Sequence, residues 1–186
     1  TDHTYAEEWS HDESQHWHAA TCEHTGLSRD RGMHDFQDGK TCLTCGYTPA
    51  YTLGLSYTLI NGKSEYLVGI GTATDRDIVI PAERGGIPVT GIGNGAFSDS
   101  AVRSVTIPKS VTEIRDYAFE DCAFLESIVI PDSVRYIGNF AFYNCNSLQK
   151  ITVGKGVELI NDRAFANCPM LTEIAYQAEG QSVFTR

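Results

Sequence analysis

At 186 residues the chain has room for one domain, or for one domain and a small module, and 41% hydrophobic residues suffice for a buried core. A formal charge of -10 argues against nucleic acid as a partner, because phosphate binding needs clustered Lys and Arg, and it disfavours anionic membrane surfaces. No run of 18 apolar residues occurs, so no membrane-spanning helix is expected.

Residues 1–48 have a composition of their own. They hold all six histidines, both tryptophans (Trp9, Trp17) and three of the six cysteines. Nine acidic and three basic side chains give them a net charge of -6. So short a segment buries too little apolar surface to fold unaided and needs a staple. Structural zinc is one, contributing about 10–16 kcal/mol in finger-like modules. Cys42-Leu-Thr-Cys45 followed by Gly46 reads as a knuckle, in which the glycine lets the chain turn so that both sulfurs meet one metal. Cys22 and one histidine would complete a Cys3His site; His34 is favoured, then His24, then His18. A zinc ribbon has two such knuckles and only one is present. The competing readings are a disulfide from Cys22 to Cys42 or Cys45, which leaves an odd thiol, and no staple at all.

The same segment raises the question of an enzyme. His16-x-His18 beside Asp12 and Glu13 is similar to hydrolytic metal sites, but the spacing is common. The chain has no HExxH, GxSxG, GxxxxGK or GxGxxG. Cys42-x-x-Cys45 leads into a Gly-Tyr turn and not into the helix of a redox motif. The chain is therefore expected not to be an enzyme, and a metal-dependent hydrolase is the weakest reading.

Residues 49–74 read as a hairpin. Leu55 to Ile60 and Tyr66 to Ile70 alternate apolar and polar residues on either side of Asn61-Gly62, a pair suited to a turn of positive φ. This hairpin is expected to cap the repeats that come after it, since terminal units of a repeat array need covering.

From about residue 75 onward the chain repeats. Ala-Phe recurs at Phe97, Phe119, Phe142 and Phe165, in steps of 22, 23 and 23 residues. Ser100, Cys122, Cys145 and Cys168 follow three residues later. Ile92, Ile114, Ile137 and Ile160 precede each Phe by five, and Val89, Val111, Val134 and Val157 by eight. After the Phe come Leu125, Leu148 and Leu171, then Ile-x-Ile-type steps from Ile78-x-Ile80 to Ile174-x-Tyr176. In the first unit Val102 stands one residue early, which marks a deletion beside Ser100. A period of this length means a solenoid. Ile-x-Ile has strand spacing. Pro81, Pro108 and Pro131 end each strand because proline has no N–H for a ladder. Val-x-x-Ile starts the opposite side of the coil, and Phe fills its wide end. The three periodic cysteines are expected to be buried small hydrophobes, since parallel stacking aims their Cβ atoms alike and disfavours a disulfide.

These positions resemble the BspA-type, or treponemal, leucine-rich repeat, AFxxCxxLxxIxIPxSVxxIGxx, over about residues 75–176. Ser100 in place of Cys, Gly154 in place of Pro, and an insertion from Glu83 to Ile87 depart from that pattern. The string HWHxxTCxH, then His34, then CxxCGY is also similar to His/Trp/Cys-rich modules beside such repeats in bacterial surface proteins. The resemblance implies a β-rich solenoid of parallel strands in a bacterial, secreted or cell-surface protein. It also implies adhesion to a protein or glycan ligand, host or matrix in origin.

The organisation expected is therefore a module at 1–48, a hairpin cap at 49–74 and a solenoid of four to five coils at 75–186. Gln177 to Arg186 shows no comparable cap, so the chain is expected to be one piece of a longer array. Leucine-rich solenoids bind on the strand face, which places Ser104, Thr106, Ser127, Val129, Lys150, Thr152 and Glu173 as candidate contacts. That face is small, neutral and β-branched, and a plain solvated sheet is the bland alternative. A structural spacer holding another domain away from the cell is the second functional reading.

Overall fold

The computed structural model describes residues 49–62 and 64–176, together with the backbone of three short strands nearer the start. The chain forms two compact units, Thr1–Leu53 and Gly54–Arg186. In the first unit, β1 (Ser10–His11), β2 (Gln15–Ala19) and β3 (Ser28–Met33) make an antiparallel sheet in the order β1-β2-β3. Cys22, His24, His34, Cys42 and Cys45 lie outside the described residues, and of His18, on β2, only the backbone is described.

The second unit opens with the hairpin that Asn61-Gly62 predicts. β4 (Ser56–Ile60) and β5 (Glu65–Gly69) pair antiparallel from Ser56↔Gly69 to Ile60↔Glu65. Asn61 and Gly62 both take positive φ, 48° and 69°. β5 then pairs in parallel with β8 (Ile87–Ile92), so the hairpin is hydrogen-bonded to the repeat sheet.

Each coil contributes two strands. On one side lie β6 (Asp77–Val79), β9 (Ser104–Thr106), β11 (Ser127–Ile130), β13 (Lys150–Val153) and β15 (Glu173–Tyr176). On the other, β10 (Glu113–Ile114), β12 (Tyr136–Ile137) and β14 (Leu159–Ile160) extend the sheet begun by β8, in the order β14-β12-β10-β8-β5-β4. All pairings between coils are parallel and in register, Ile92↔Ile114↔Ile137↔Ile160 among them. The fold is thus a parallel β-solenoid of about five turns with no helix among the described residues. The strands β6, β9 and β11 stop before Pro81, Pro108 and Pro131, as the missing proline N–H requires.

Two irregularities have local causes. The insertion forms a small hairpin: β7 (Glu83–Arg84) pairs antiparallel with β8 around Gly85-Gly86, whose φ values of 58° and 77° suit only glycine comfortably. The five-strand side is broken, β6 pairing with β9 and β13 with β11 and β15. The break between β9 and β11 coincides with the shortened connection after Phe97, where Ser104 follows the Phe by seven residues against eight from Phe119 to Ser127.

The core is a set of columns. Phe97, Phe119, Phe142, Ile92, Ile114, Ile137, Leu125, Leu148 and Ile151 are fully buried. The phenylalanines stack one above the next, ring centroids 5.1 Å apart for Phe97–Phe119, 5.0 Å for Phe119–Phe142 and 5.5 Å for Phe142–Phe165. Each Phe is also gripped by the following coil. Its N–H donates to the next Ala carbonyl (Phe97 to Ala118 2.8 Å, Phe119 to Ala141 2.7 Å, Phe142 to Ala164 2.7 Å). Its carbonyl accepts the next thiol, at 3.0 Å from Cys122 to Phe97, 3.1 Å from Cys145 to Phe119 and 3.1 Å from Cys168 to Phe142.

Candidate binding surfaces of the solenoid

Alternation in the strands sends every second side chain outward. On the five-strand side the register makes two outer columns. Asp77 pairs with Ser104, and Lys150 with Ser127 and Glu173; Val79 pairs with Thr106, and Thr152 with Val129 and Ala175. Ser104, Thr106, Ser127, Val129 and Lys150 are exposed, while Thr152 and Glu173 are half-buried. The seven expected contacts therefore all point outward, but they are divided. Ser104 and Thr106 lie on the two-stranded sheet, and the other five share the three-stranded one.

Charge on this face is largely internally matched. Arg103 and Ser104 donate to the Asp77 carboxylate, Nε at 3.1 Å and Oγ at 2.7 Å, and the Arg103 bond, then the Ser104 bond, hold the Asp77 carboxyl below its ordinary value. Lys150 Nζ lies 2.8 Å from Glu173 Oε1. Both pairs are solvent-exposed and contribute little to stability. Val129, 57% exposed, is the most exposed large apolar side chain on this face and lies on β11, an edge strand of the three-stranded sheet.

Cys122 and Cys145 are not poised as nucleophiles. Cys122 and Cys145 are buried, and all three periodic cysteines are free thiols. Burial pushes the Cys122 thiol up to about 11. The neighbouring Cys168 side chain, with burial second, raises Cys145 as well. A nucleophilic cysteine needs the opposite shift. Among the described residues, no three His, Cys, Asp or Glu side chains gather as a metal site.

Two further columns run along the turn that carries the Phe stack. Asp99, Asp121, Asn144 and Asn167, each two residues after a Phe, take left-handed φ of 56° to 60°. Asn144 donates to Asp121, and Asn167 Nδ2 to Asn144 Oδ1 at 2.8 Å. Short polar side chains tolerate this conformation, so the Asp/Asn period two residues after each Phe was the available signal. Two residues before each Phe, Gly95, Tyr117, Phe140 and Arg163 are also left-handed, with φ of 58°, 60°, 55° and 55°. The Tyr117 and Phe140 rings stack 5.3 Å apart and 3° from parallel, and Tyr143 meets Phe140 edge-on at 5.4 Å. Aromatic side chains are therefore clustered on the turn, while the strand face, small and β-branched as its sequence implies, has no such cluster among the described residues.

The comparisons with known proteins agree with this architecture. The BspA type leucine rich repeat region matches residues 77–185, in six copies. The chain belongs to the BspA-type leucine-rich repeat family. A leucine-rich repeat protein of Bacteroides capillosus shares 25% identity with this BspA-type chain at a TM-score of 0.60, over 67% of this chain and 95% of that one. A leucine rich cell surface protein of Faecalibacterium prausnitzii shares the fold, with 23% identity and a TM-score of 0.52, over 72% of this chain and 41% of that one. No curated protein matches. No helix among the described residues is long and apolar enough to cross a membrane.

Proposed function

We propose that this protein is a secreted or surface-displayed adhesion module that grips a protein or glycan partner on the outer face of the five-strand side of its solenoid. The observation that carries this reading is the register, which lines Ser127, Lys150 and Glu173 beside Val129 and Thr152 on the outer face of one sheet. The BspA-type repeat supports it, because leucine-rich solenoids act as interaction scaffolds. A leucine rich cell surface protein of Faecalibacterium prausnitzii shares the fold.

The test is a panel of immobilised matrix proteins and glycans probed with the intact chain and with Val129→Asp. A panel member should bind the parent and lose about tenfold or more with the variant, as for a hot-spot contact, while the unfolding temperature stays unchanged. Undiminished binding by Val129→Asp would remove the strand face from the mechanism. For residues 1–48 we propose structural zinc on Cys22, His34, Cys42 and Cys45, with His24 and His18 as alternates. One equivalent of zinc in chelator-free protein is expected; less than about half an equivalent would reject it.

A further inference from the structure

We propose that the exposed face of Tyr117 is a docking point for an arginine side chain of a basic partner protein, on the turn side of the solenoid and separate from the strand face. Gly95, Tyr117, Phe140 and Arg163 occupy the same place in four successive turns. Within that column Tyr117 lies on Phe140, and the Arg163 guanidinium lies over the Phe140 ring, 5.8 Å from its centre. One end of the aromatic pair is therefore closed by a guanidinium. The other end faces Gly95, which has no side chain, and a Cβ built there would meet no atom within 4 Å. Tyr117 is 41% exposed, and Phe140 is its only aromatic partner among the described residues.

Two observations name the occupant. The first is what this unit already puts on its outer rings. Arg76 lies 4.6 Å from the centre of Phe124 and Arg84 4.4 Å from that of Tyr57, besides Arg163 on Phe140. A guanidinium is planar, weakly hydrated and attracted by a ring face, so it stacks where a neutral group gains less. The second is charge. The turns spanning 94–99 and 116–121 carry Asp99, Asp116, Glu120 and Asp121 and no Lys or Arg. These turns are tied together: Asp99 N–H donates to Glu120 O at 2.8 Å, and Glu120 N–H to Tyr117 O at 3.1 Å. None of the four carboxylates makes an ion pair among the described residues. A neutral sugar would use the ring but not the field. The backbone adds weight, because a bulky side chain at φ 60° is strained where glycine, as at position 95, is not.

The test uses the intact chain carrying 3-fluorotyrosine, with the Tyr117 fluorine signal assigned from its loss in Tyr117→Phe. It is titrated with acetyl-Gly-Arg-Gly-Arg-Gly-amide, with the matching lysine peptide and with maltohexaose, and folding of each variant is followed by thermal unfolding. The arginine peptide should shift the Tyr117 signal saturably and bind at least threefold more tightly than the lysine peptide. Tyr117→Leu should weaken it by about three- to fivefold, the size of an exposed cation–π contact. Gly95→Arg, which seats an arginine from the chain itself, should abolish the shift. Equal affinity for the two peptides would reduce the effect to diffuse charge and overturn the proposal. So would a response to maltohexaose alone, or unchanged arginine-peptide binding by Gly95→Arg. Should neither variant fold, the comparison of peptides on the parent decides alone. Failure here with Val129-dependent binding intact would leave the strand-face reading standing.

Discussion

Phe142 sits between two rings at 5.0 Å and 5.5 Å and is fully buried, so its removal leaves a hole that neither neighbour can close. Phe142→Ala should cost roughly 3–5 kcal/mol in a denaturant titration, and Phe165→Ala, only half-buried, clearly less. The buried thiols give a pH signature. Cys122 is raised from 9.0 to about 11 in the folded protein, mainly by burial, so the unfolded chain loses its proton first as pH rises. The stability this thiol contributes is complete below about pH 9 and should be lost between there and about pH 11. Unfolding temperatures measured across that window should fall, and Cys122→Ala should flatten the fall; an identical slope in both proteins would refute the assignment. These contacts were legible from the sequence, because a core position declares itself by an apolar residue at every period. Their hydrogen bonds were not: nothing in a Cys period says that each thiol donates to a Phe carbonyl one coil back.

Turns were harder to read than strands. The proline stops and the Asn61-Gly62 hairpin follow from what those residues can and cannot do with φ and N–H, and both are present as expected. The insertion at Glu83–Ile87 contained Gly85-Gly86, a usable hairpin signal that the repeat pattern masked. The left-handed column of Tyr117, Phe140 and Arg163 had no composition cue, because the residues that occupy it normally avoid that conformation. Gly154 and Gly156 belong to the same lesson. They stand where other units have Pro131 and Ser133, and a repeat pattern treats them as defects. In the fold, a Cβ on Gly156 would overlap Asp132 O, and one on Gly154 would lie 2.5 Å from the Pro131 carbonyl carbon. The two loops approach more closely than a side chain permits. Restoring the pattern with Gly156→Ser should therefore destabilise the protein, by about 1–3 kcal/mol as for other overpacked sites, measurable as a lower denaturation midpoint. A stabilised variant would show that the loops separate freely.

Across the whole solenoid, each coil touches only its neighbours, so stability is expected to vary along the axis. In the middle, Phe119, Leu125, Ile128, Phe142, Leu148 and Ile151 are covered from both sides. Toward β15, Phe165, Leu171 and Ile174 are only half-buried. Amide exchange should be slowest in β11 and β13 and fastest in β15; uniform protection would mean that the unit opens all at once. The solenoid, its axis and its inner columns were readable because a period fixes them. The division of the outer strand face into two sheets was not, since a one-residue deletion does not announce whether the ladder bends or breaks. The grip on each Phe bears on how such a protein grows. Each coil offers the one after it the same carbonyl and ring that it takes from the one before. A duplicated 23-residue segment placed after Ala164 would find the same carbonyl and thiol partners on both flanks, so copying a coil repeats the grip that holds its neighbours.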